Sequence, residues 1–580
     1  MKRNRIFGSL SGLFMATALS ALAQAASVTV NTEADVIDTA ECTLREAIVS
    51  VNQNSVIGGC VATGTGDIDT VELPAGDYVL SIIGLDDNNA AGDLDVLADL
   101  TLNGQGADTT SISAQGLEDN GGPERVMHIN PLGSLLTTTI NDVTIRDGLE
   151  NGDGGGILIE GAQLNNLVQG IAGAGTLGSA TLNGVNVVDN ESDDDAGGIL
   201  AFGVDLILDN VFVSNNISPE SGGGLEYFGE DGGSLQIRNS TFDGNQGFFG
   251  AGISAEGESS IDSTTISNNF NACAGGGLFI EGLSTITNST ISNNRADNDS
   301  CGIATGAVDD RLGGGVAIDE LSGVTIVNST ISGNFAIDGG GGIAMALSSP
   351  AAPAPPVAVV KFGLIGVEGL HLFNVTIADN VTDGSGGGVV TVTLQTTGGE
   401  AGLITAANTI LANNSAGTSP DCAADFASEG YNLVGDTAGC NGFTGTGDQT
   451  GVDPQLGPLQ DNGGPTFTQA LLAGSPAIDT ADPSGCSDNN GSVLNRDQRG
   501  ETRPVAILDP NTPVCDIGAF EFQIPEPTPS PTPTATPIPG FLLNGTGCAL
   551  IEGAAPSAVP ALLALLAGLG ALAYRYRRAE

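Results

Sequence analysis

Asn288-Ser289-Thr290-Ile291-Ser292-Asn293-Asn294 is one of six copies of a seven-residue phrase in this 580-residue chain. The others are Asn239-Ser-Thr-Phe-Asp-Gly-Asn245, Ser263-Thr-Thr-Ile-Ser-Asn-Asn269, Asn328-Ser-Thr-Ile-Ser-Gly-Asn334, Asn374-Val-Thr-Ile-Ala-Asp-Asn380 and Asn408-Thr-Ile-Leu-Ala-Asn-Asn414. Weaker copies end at Asn190 and Asn216, and successive final asparagines lie 26, 29, 24, 25, 40, 46 and 34 residues apart. Thr and Ile alternating with polar residues make a short strand. A Gly cluster and a second apolar run usually follow, as in Gly222-Gly-Gly-Leu225, Gly275-Gly-Gly-Leu278, Gly313-Gly-Gly-Val316, Gly339 to Ile343 and Gly386-Gly-Gly-Val389.

A unit of two or three short strands with tight corners cannot bury its apolar side alone, so it must stack on copies of itself. The expected fold is all-β: a right-handed, single-stranded parallel β-helix (a solenoid), with one coil per repeat and ~4.8 Å between coils. The final asparagines would then form an internal ladder of amides, as identical residues do in other in-register stacks. A β-propeller is the rival, but its blades need ~40 residues and usually aromatic signatures. Here aromatics are only 4% and Trp is absent. Many of the 87 glycines fall at the recurring corners. The longer spacings mark loops at Arg295–Leu312 and at Leu347–Val360, the latter with Pro350, Pro353, Pro355 and Pro356. Asn239, Asn288, Asn328 and Asn374 match the glycosylation pattern, but their fixed place in the repeat favours a structural role.

The ends differ from the middle. Residues 1–25 read as a signal peptide: Lys2, Arg3 and Arg5, an apolar run from Ile6 to Leu22, then Ala23-Gln24-Ala25 as a cleavage site. Residues 523–540 are a Pro/Thr/Ser-rich linker, expected to be extended. Residues 541–580 hold Cys548, an apolar segment from Val559 to Ala573 suited to an anchor helix, and Arg575, Arg577 and Arg578. Between residues 26 and 547 there are 10 basic and 66 acidic residues, a net charge of −56. Such a surface repels nucleic acid and anionic glycans.

Nine cysteines fall as Cys42/Cys60, Cys273/Cys301, Cys422/Cys440, Cys486/Cys515 and the odd Cys548. Nearest-neighbour pairing is the expected disulfide pattern of an exported chain, although spacing alone leaves connectivity open. Cys548 is assigned to processing or lipidation, because the tail resembles the C-terminal sorting signals of Gram-negative bacteria.

Further motifs carry a family resemblance. Cys42-Thr-Leu-Arg-Glu-Ala-Ile48 resembles the CSLREA motif of bacterial exported proteins, and the repeats are similar to those of polymorphic outer membrane proteins. Tyr431 to Asp436, Asp453 to Pro458, Asp461 to Pro465, Gly474 to Asp479, Asp497 to Gly500 and Cys515 to Glu521 resemble the choice-of-anchor domain of the same group. The resemblance implies a cap over residues 26–69, β-helix repeats over 70–420 and a C-terminal domain over 421–522. It implies a cell-surface, envelope-anchored protein and supplies no catalytic residues.

Chemistry-bearing residues are sparse. Asp193, Asp194, Asp195, Asp309 and Asp310 sit in turns, where carboxylates suit Ca²⁺. No other cofactor is expected. Asp194 and Asp309 are also the weak candidates for acid catalysis of the two-carboxylate kind. Lyase chemistry would need a base, and the repeats offer Lys361, Arg125, Arg146, Arg238, Arg295 and Arg311. His128 and His371, each beside strand-like residues, read as structural. The favoured reading is a membrane-tethered, adhesin-like surface protein with a structural, adhesive or glycan-binding role. The alternative is a polysaccharide lyase or glycoside hydrolase of the β-helix type. Its expected partners are surface polysaccharides or glycans of a host or neighbouring cell, together with export and C-terminal sorting machinery. Mass spectrometry of the mature protein should find a start at Ala26 and a trimmed tail; an intact Glu580 terminus would overturn processing at Cys548.

Overall fold

The computed structural model describes residues 26–523, apart from 38–39, 86, 120–121, 123, 162–177, 230–231, 302–310, 320–321, 349–368, 395–402 and 509–511. The signal sequence, Asp309, Asp310, Lys361, the Pro-rich loop, nearly all of the linker and the tail with Cys548 lie outside the described residues. The chain divides into units 1–524 and 525–580, and only the first is described. No helix among the described residues is long and apolar enough to cross a membrane.

The described unit is a parallel β-helix. Each phrase contributes three residues to a 13-stranded sheet. In it Ile145, Val187, Val213, Phe242, Ile266, Ile291, Ile331, Ile377 and Leu411 are successive in-register partners. All point into the core and are at most 1% exposed. The strands that follow the Gly clusters and those that precede the phrases form a second, 23-stranded sheet. There Ile157, Ile199, Leu225, Ile253, Leu278, Val316, Ile343 and Val389 stack in the same way. Since strand residues alternate in direction, one inward residue per short strand is enough to fill the narrow interior. Aromatic bulk is scarcely needed.

The final asparagines form the expected ladder. From Asn190 through Asn216, Asn245, Asn269, Asn294, Asn334, Asn380 and Asn414, each Nδ2 donates to the next Oδ1 at 2.9–3.0 Å. Each Oδ1 also accepts the preceding rung's backbone N–H, at 2.9–3.1 Å. The second Nδ2 proton goes to a core-strand carbonyl, Ile266 O for Asn294 and Ile291 O for Asn334. Every donor and acceptor of an inner rung is therefore used. Gly148 N–H closes the first end on Asn190 Oδ1, and Asp421 Oδ1 accepts from Asn414 Nδ2 at the other.

Two other phrase positions follow from the backbone. The first and sixth residues adopt positive φ, 50° at Asn288 and 57° at Asn293, which explains their restriction to Asn, Asp, Gly and Ser. The second, except at Val375, carries a hydroxyl that bonds along the axis, Thr264 N to Ser289 Oγ at 3.1 Å and Ser289 N to Ser329 Oγ at 3.1 Å. The last glycine of each cluster abuts the ladder. A Cβ at Gly277 would stand 2.6 Å from Gly315 O and 2.9 Å from Asn294 Nδ2, so nothing larger fits.

The motif at Cys42 builds the helix Leu44–Asn52, with Thr43 and Glu46 forming a capping box. Arg45, 1% exposed, pairs with Asp35 and donates to the carbonyls of Gly92 and Asp93. Strand Ala26–Thr29 beside this helix already belongs to the large sheet, pairing in parallel with Ile68–Glu72. Disulfides join Cys42–Cys60, Cys273–Cys301, Cys422–Cys440 and Cys486–Cys515.

At the other end the coils continue past residue 420, with Leu433–Val434 and Gln449–Thr450 extending the 13-stranded sheet. The chain then folds back over the outside of that sheet as a strap. Thr466 Oγ1 donates to Asn288 O, Gln498 bridges Thr290 and Thr330, Arg503 reaches Asn328, and Ala519 N–H reaches Thr376. Within the strap, Arg503 pairs with Glu521, both fully buried, and Arg499 pairs with Asp497 while lying 3.7 Å over the Phe520 ring.

Replacing a rung should be costly. Asn294→Ala strands the Asn269 amide and two backbone groups, at about 1–3 kcal/mol for each buried group left unpaired. Denaturant unfolding should show that loss, whereas Asn183→Ala, at an exposed position, should change stability by less than ~0.5 kcal/mol.

Candidate functional site

Two features of this scaffold carry potential chemistry. The first is a groove of about 520 Å³ on the outer side of the 13-stranded sheet. The outward row there runs Thr144, Asn186, Phe212, Thr241, Thr265, Thr290, Thr330, Thr376, Ile410. The strap seals the later part of this row, where Thr290, Thr330 and Thr376 are at most 1% exposed. Asn186, Phe212 and Thr241 line the open part with Gln105, Asp108 and Asp142. Phe212 is 40% exposed and presents the one aromatic ring of this lining. The groove is thus made of amides, hydroxyls and two carboxylates around a single apolar platform.

The second feature is a stack of acidic turns. Asp153, Asp195 and Ser221 hold the same place in successive coils, each just before the positive-φ residue that opens the Gly turn (Gly154, Ala196, Gly222). Carboxylate oxygens of Asp153, Asp194 and Asp195 all lie within 4.8 Å of one another. Of the residues singled out by sequence, the structure brings together Asp194 and Asp195, adds Asp153 from the preceding coil, and leaves Asp193 out of the cluster. Beneath the turns runs an outward column of the large sheet, Leu158, Leu200, Glu226 and Ser254. Glu226 is 4% exposed, and its Oε2 has no hydrogen-bond partner. Burial, then the charges of Asp195 and Glu256, push its pKa up to about 9. Asp195 is also raised, by burial and by Glu220, Asp194 and Asp153.

A further acidic group lies near the N-terminal end. Burial and Asp93 push Glu124 up to about 8, and burial carries Asp93 to about 6 against the pull of Arg125. Asp87, Asp95 and His128 also converge there. His128 Nε2 lies 3.7 Å from Glu160, and His371 shares a 2.8 Å hydrogen bond with Thr405. Both histidines sit on strands, within in-register pairs.

The family of right-handed beta helix regions matches residues 223–423. A search of curated proteins found no match. Two of the similar solved structures show the distance. One is the A-module of the Azotobacter vinelandii mannuronan C-5 epimerase AlgE6, 14% identical, with a TM-score of 0.32, covering 66% of this chain and 87% of that chain. The other is the pectate lyase Pel9A, 12% identical, with a TM-score of 0.32, covering 78% of this chain and 88% of that chain. At this distance neither bears on activity.

The raised carboxyls set a pH dependence. Glu226, Glu124 and Asp93 bind their protons more tightly folded than unfolded, so their contribution is fully present below the ordinary carboxylate range. It is lost as pH rises through about 6 for Asp93, about 8 for Glu124 and about 9 for Glu226. Calorimetry in chelator should therefore give a higher melting temperature at pH 5 than at pH 8. Glu226→Gln should narrow the gap by raising the pH 8 value.

Proposed function

We propose that the protein is an exported, surface-tethered β-helix scaffold that binds neutral glycans in its open groove and does not cleave them. The observation that carries this reading is the groove lining. Amides and hydroxyls offer both donors and acceptors to sugar hydroxyls, and Phe212 offers a flat apolar face to a sugar ring. Asp108 and Asp142, with no basic residue among the lining, disfavour uronate chains. The strap supports the choice of surface: where it covers the same row, Thr290 donates to the Phe467 carbonyl and Thr330 to the Gln498 amide oxygen. The row is suited to polar ligands running along the axis.

Against cleavage stands the placement of the proton-holding acids. A general acid must reach the bond it protonates. Glu226, Glu124 and Asp93 are at most 7% exposed. Four disulfides and the signal-like residues 1–25 support export; the Pro-rich linker, apolar segment and terminal arginines support tethering.

The test is a panel of neutral and acidic polysaccharides offered to the purified ectodomain with and without Ca²⁺. Binding to a neutral glycan, weakened about tenfold by Phe212→Ala through loss of ~1.4 kcal/mol of ring contact, is expected. New reducing ends or unsaturated uronates, lost on Asp194→Asn, would replace this reading with the enzymatic one. A panel with no binding at all would sink the glycan assignment.

A further inference from the structure

We propose that Asp153, Asp194 and Asp195, with the Glu226 carboxylate beneath them, form a binding site for one Ca²⁺ ion. Three carboxylates from two coils bring oxygens within 4.8 Å of one another, a separation that oxygens sharing one cation at 2.3–2.6 Å can adopt. The charges that act most on Asp195 are Glu220, Asp194 and Asp153, all of one sign. An acidic cluster alone would be a solvated turn, but Glu226 is not solvated.

Its Cβ lies against the same stack of turns. The column Leu158, Leu200, Glu226 lies directly under the turns: a Cβ on Gly154 would stand 3.2 Å from Leu158 Cβ, and one on Gly222 would stand 2.4 Å from Glu226 Cβ. Asp153 and Ser221 are the neighbours of those two glycines, and Asp195 precedes the equivalent Ala196. Glu226 therefore lies one coil beyond Asp195 and under the same roof, with Asp195 the charge it feels most. Its Oε2 is buried and unpartnered in a column otherwise filled by Leu158, Leu200 and Ser254. Burying that oxygen without a partner is costly, and a hard divalent cation satisfies it and the three aspartates together. The site lies on the turn stack, separate from the groove, so its failure leaves the glycan reading untouched.

The test uses the exported chain stripped with EGTA and titrated with CaCl₂. Calorimetry should resolve one site tighter than the diffuse binding of the remaining carboxylates. Hydrogen–deuterium exchange should slow in the turns 148–156, 191–199 and 217–226 and not elsewhere. Asp194→Asn, at an exposed position that tolerates change, should weaken the tight site about tenfold or more, as expected for loss of one charged ligand. Glu226→Gln should weaken it as well, with far-UV dichroism confirming that both variants fold. An Asp194→Asn isotherm identical to wild type, or slowing spread evenly over all turns, would overturn the assignment.

Discussion

Everything in this fold is subordinate to one row of amides. The ladder from Asn190 to Asn414 lies at the corner between the phrase strands and the Gly turns, and its 2.9–3.0 Å bonds hold each coil to the next. A buried amide left unpaired costs more than a paired one gains, so a ladder must be complete to be useful. The direction of its bonds sets how each end closes. Oδ1 of the first rung needs a donor, which Gly148 supplies. Nδ2 of the last needs an acceptor, which a carboxyl oxygen of Asp421 supplies. The glycine column follows from the same demand, since Gly277 and its counterparts leave room for the amides to approach the backbone. The 24 to 46 residues between rungs show how little else is constrained.

That hierarchy explains what could be read directly from the chain. Residues that stack on their own copies repeat in type, so the phrase, its core Ile, its ladder Asn and its corners announce the coil without any alignment. The four disulfides were legible as near neighbours, because a coil and its flanking loop bring such pairs together. The strap was not legible as a strap. Thr466 and Gln498 meet the coil of Asn288, Gln498 and Arg503 that of Asn328, and Ala519 that of Thr376, and such contacts have no period. Its motif from Asp497 to Gly500 and the one from Cys515 to Glu521 are physically one buried network: Asp497 with Arg499, Arg503 with Glu521, and Phe520 under the Arg499 guanidinium.

The acidic turns fall between these cases. Asp194 and Asp195 stand out as a run, but Asp153 and Glu226 join them only through stacking. A signal was available for Asp153. It precedes Gly154-Gly155-Gly156-Ile157 just as Asp195 precedes Ala196-Gly197-Gly198-Ile199, so the two occupy one place in the repeat. Glu226 needed a finer reading: it is the charged member of a column whose neighbours are Leu158, Leu200 and Ser254. Nothing in its local sequence distinguishes that buried position from an outward, solvated one.

A solenoid imposes the same rule on every residue type: whatever sits at one position in a coil sits ~4.8 Å from its counterpart in the next. For asparagine the rule is favourable, because an amide carries both a donor and an acceptor and identical neighbours complement each other. For aspartate it is adverse. Two carboxylates at that spacing repel by about 3 kcal/mol at an effective dielectric of ~20. Each such pair needs a base, a proton or a metal ion. The bases are largely committed: Arg45, Arg125, Arg146, Arg311, Arg499 and Arg503 each already pair with carboxylates. The acidic turns of a chain with 10 bases to 66 acids between residues 26 and 547 are thus left to protons and cations. The periodicity that makes the core self-complementary makes the acidic edge of the same coils depend on its ionic medium.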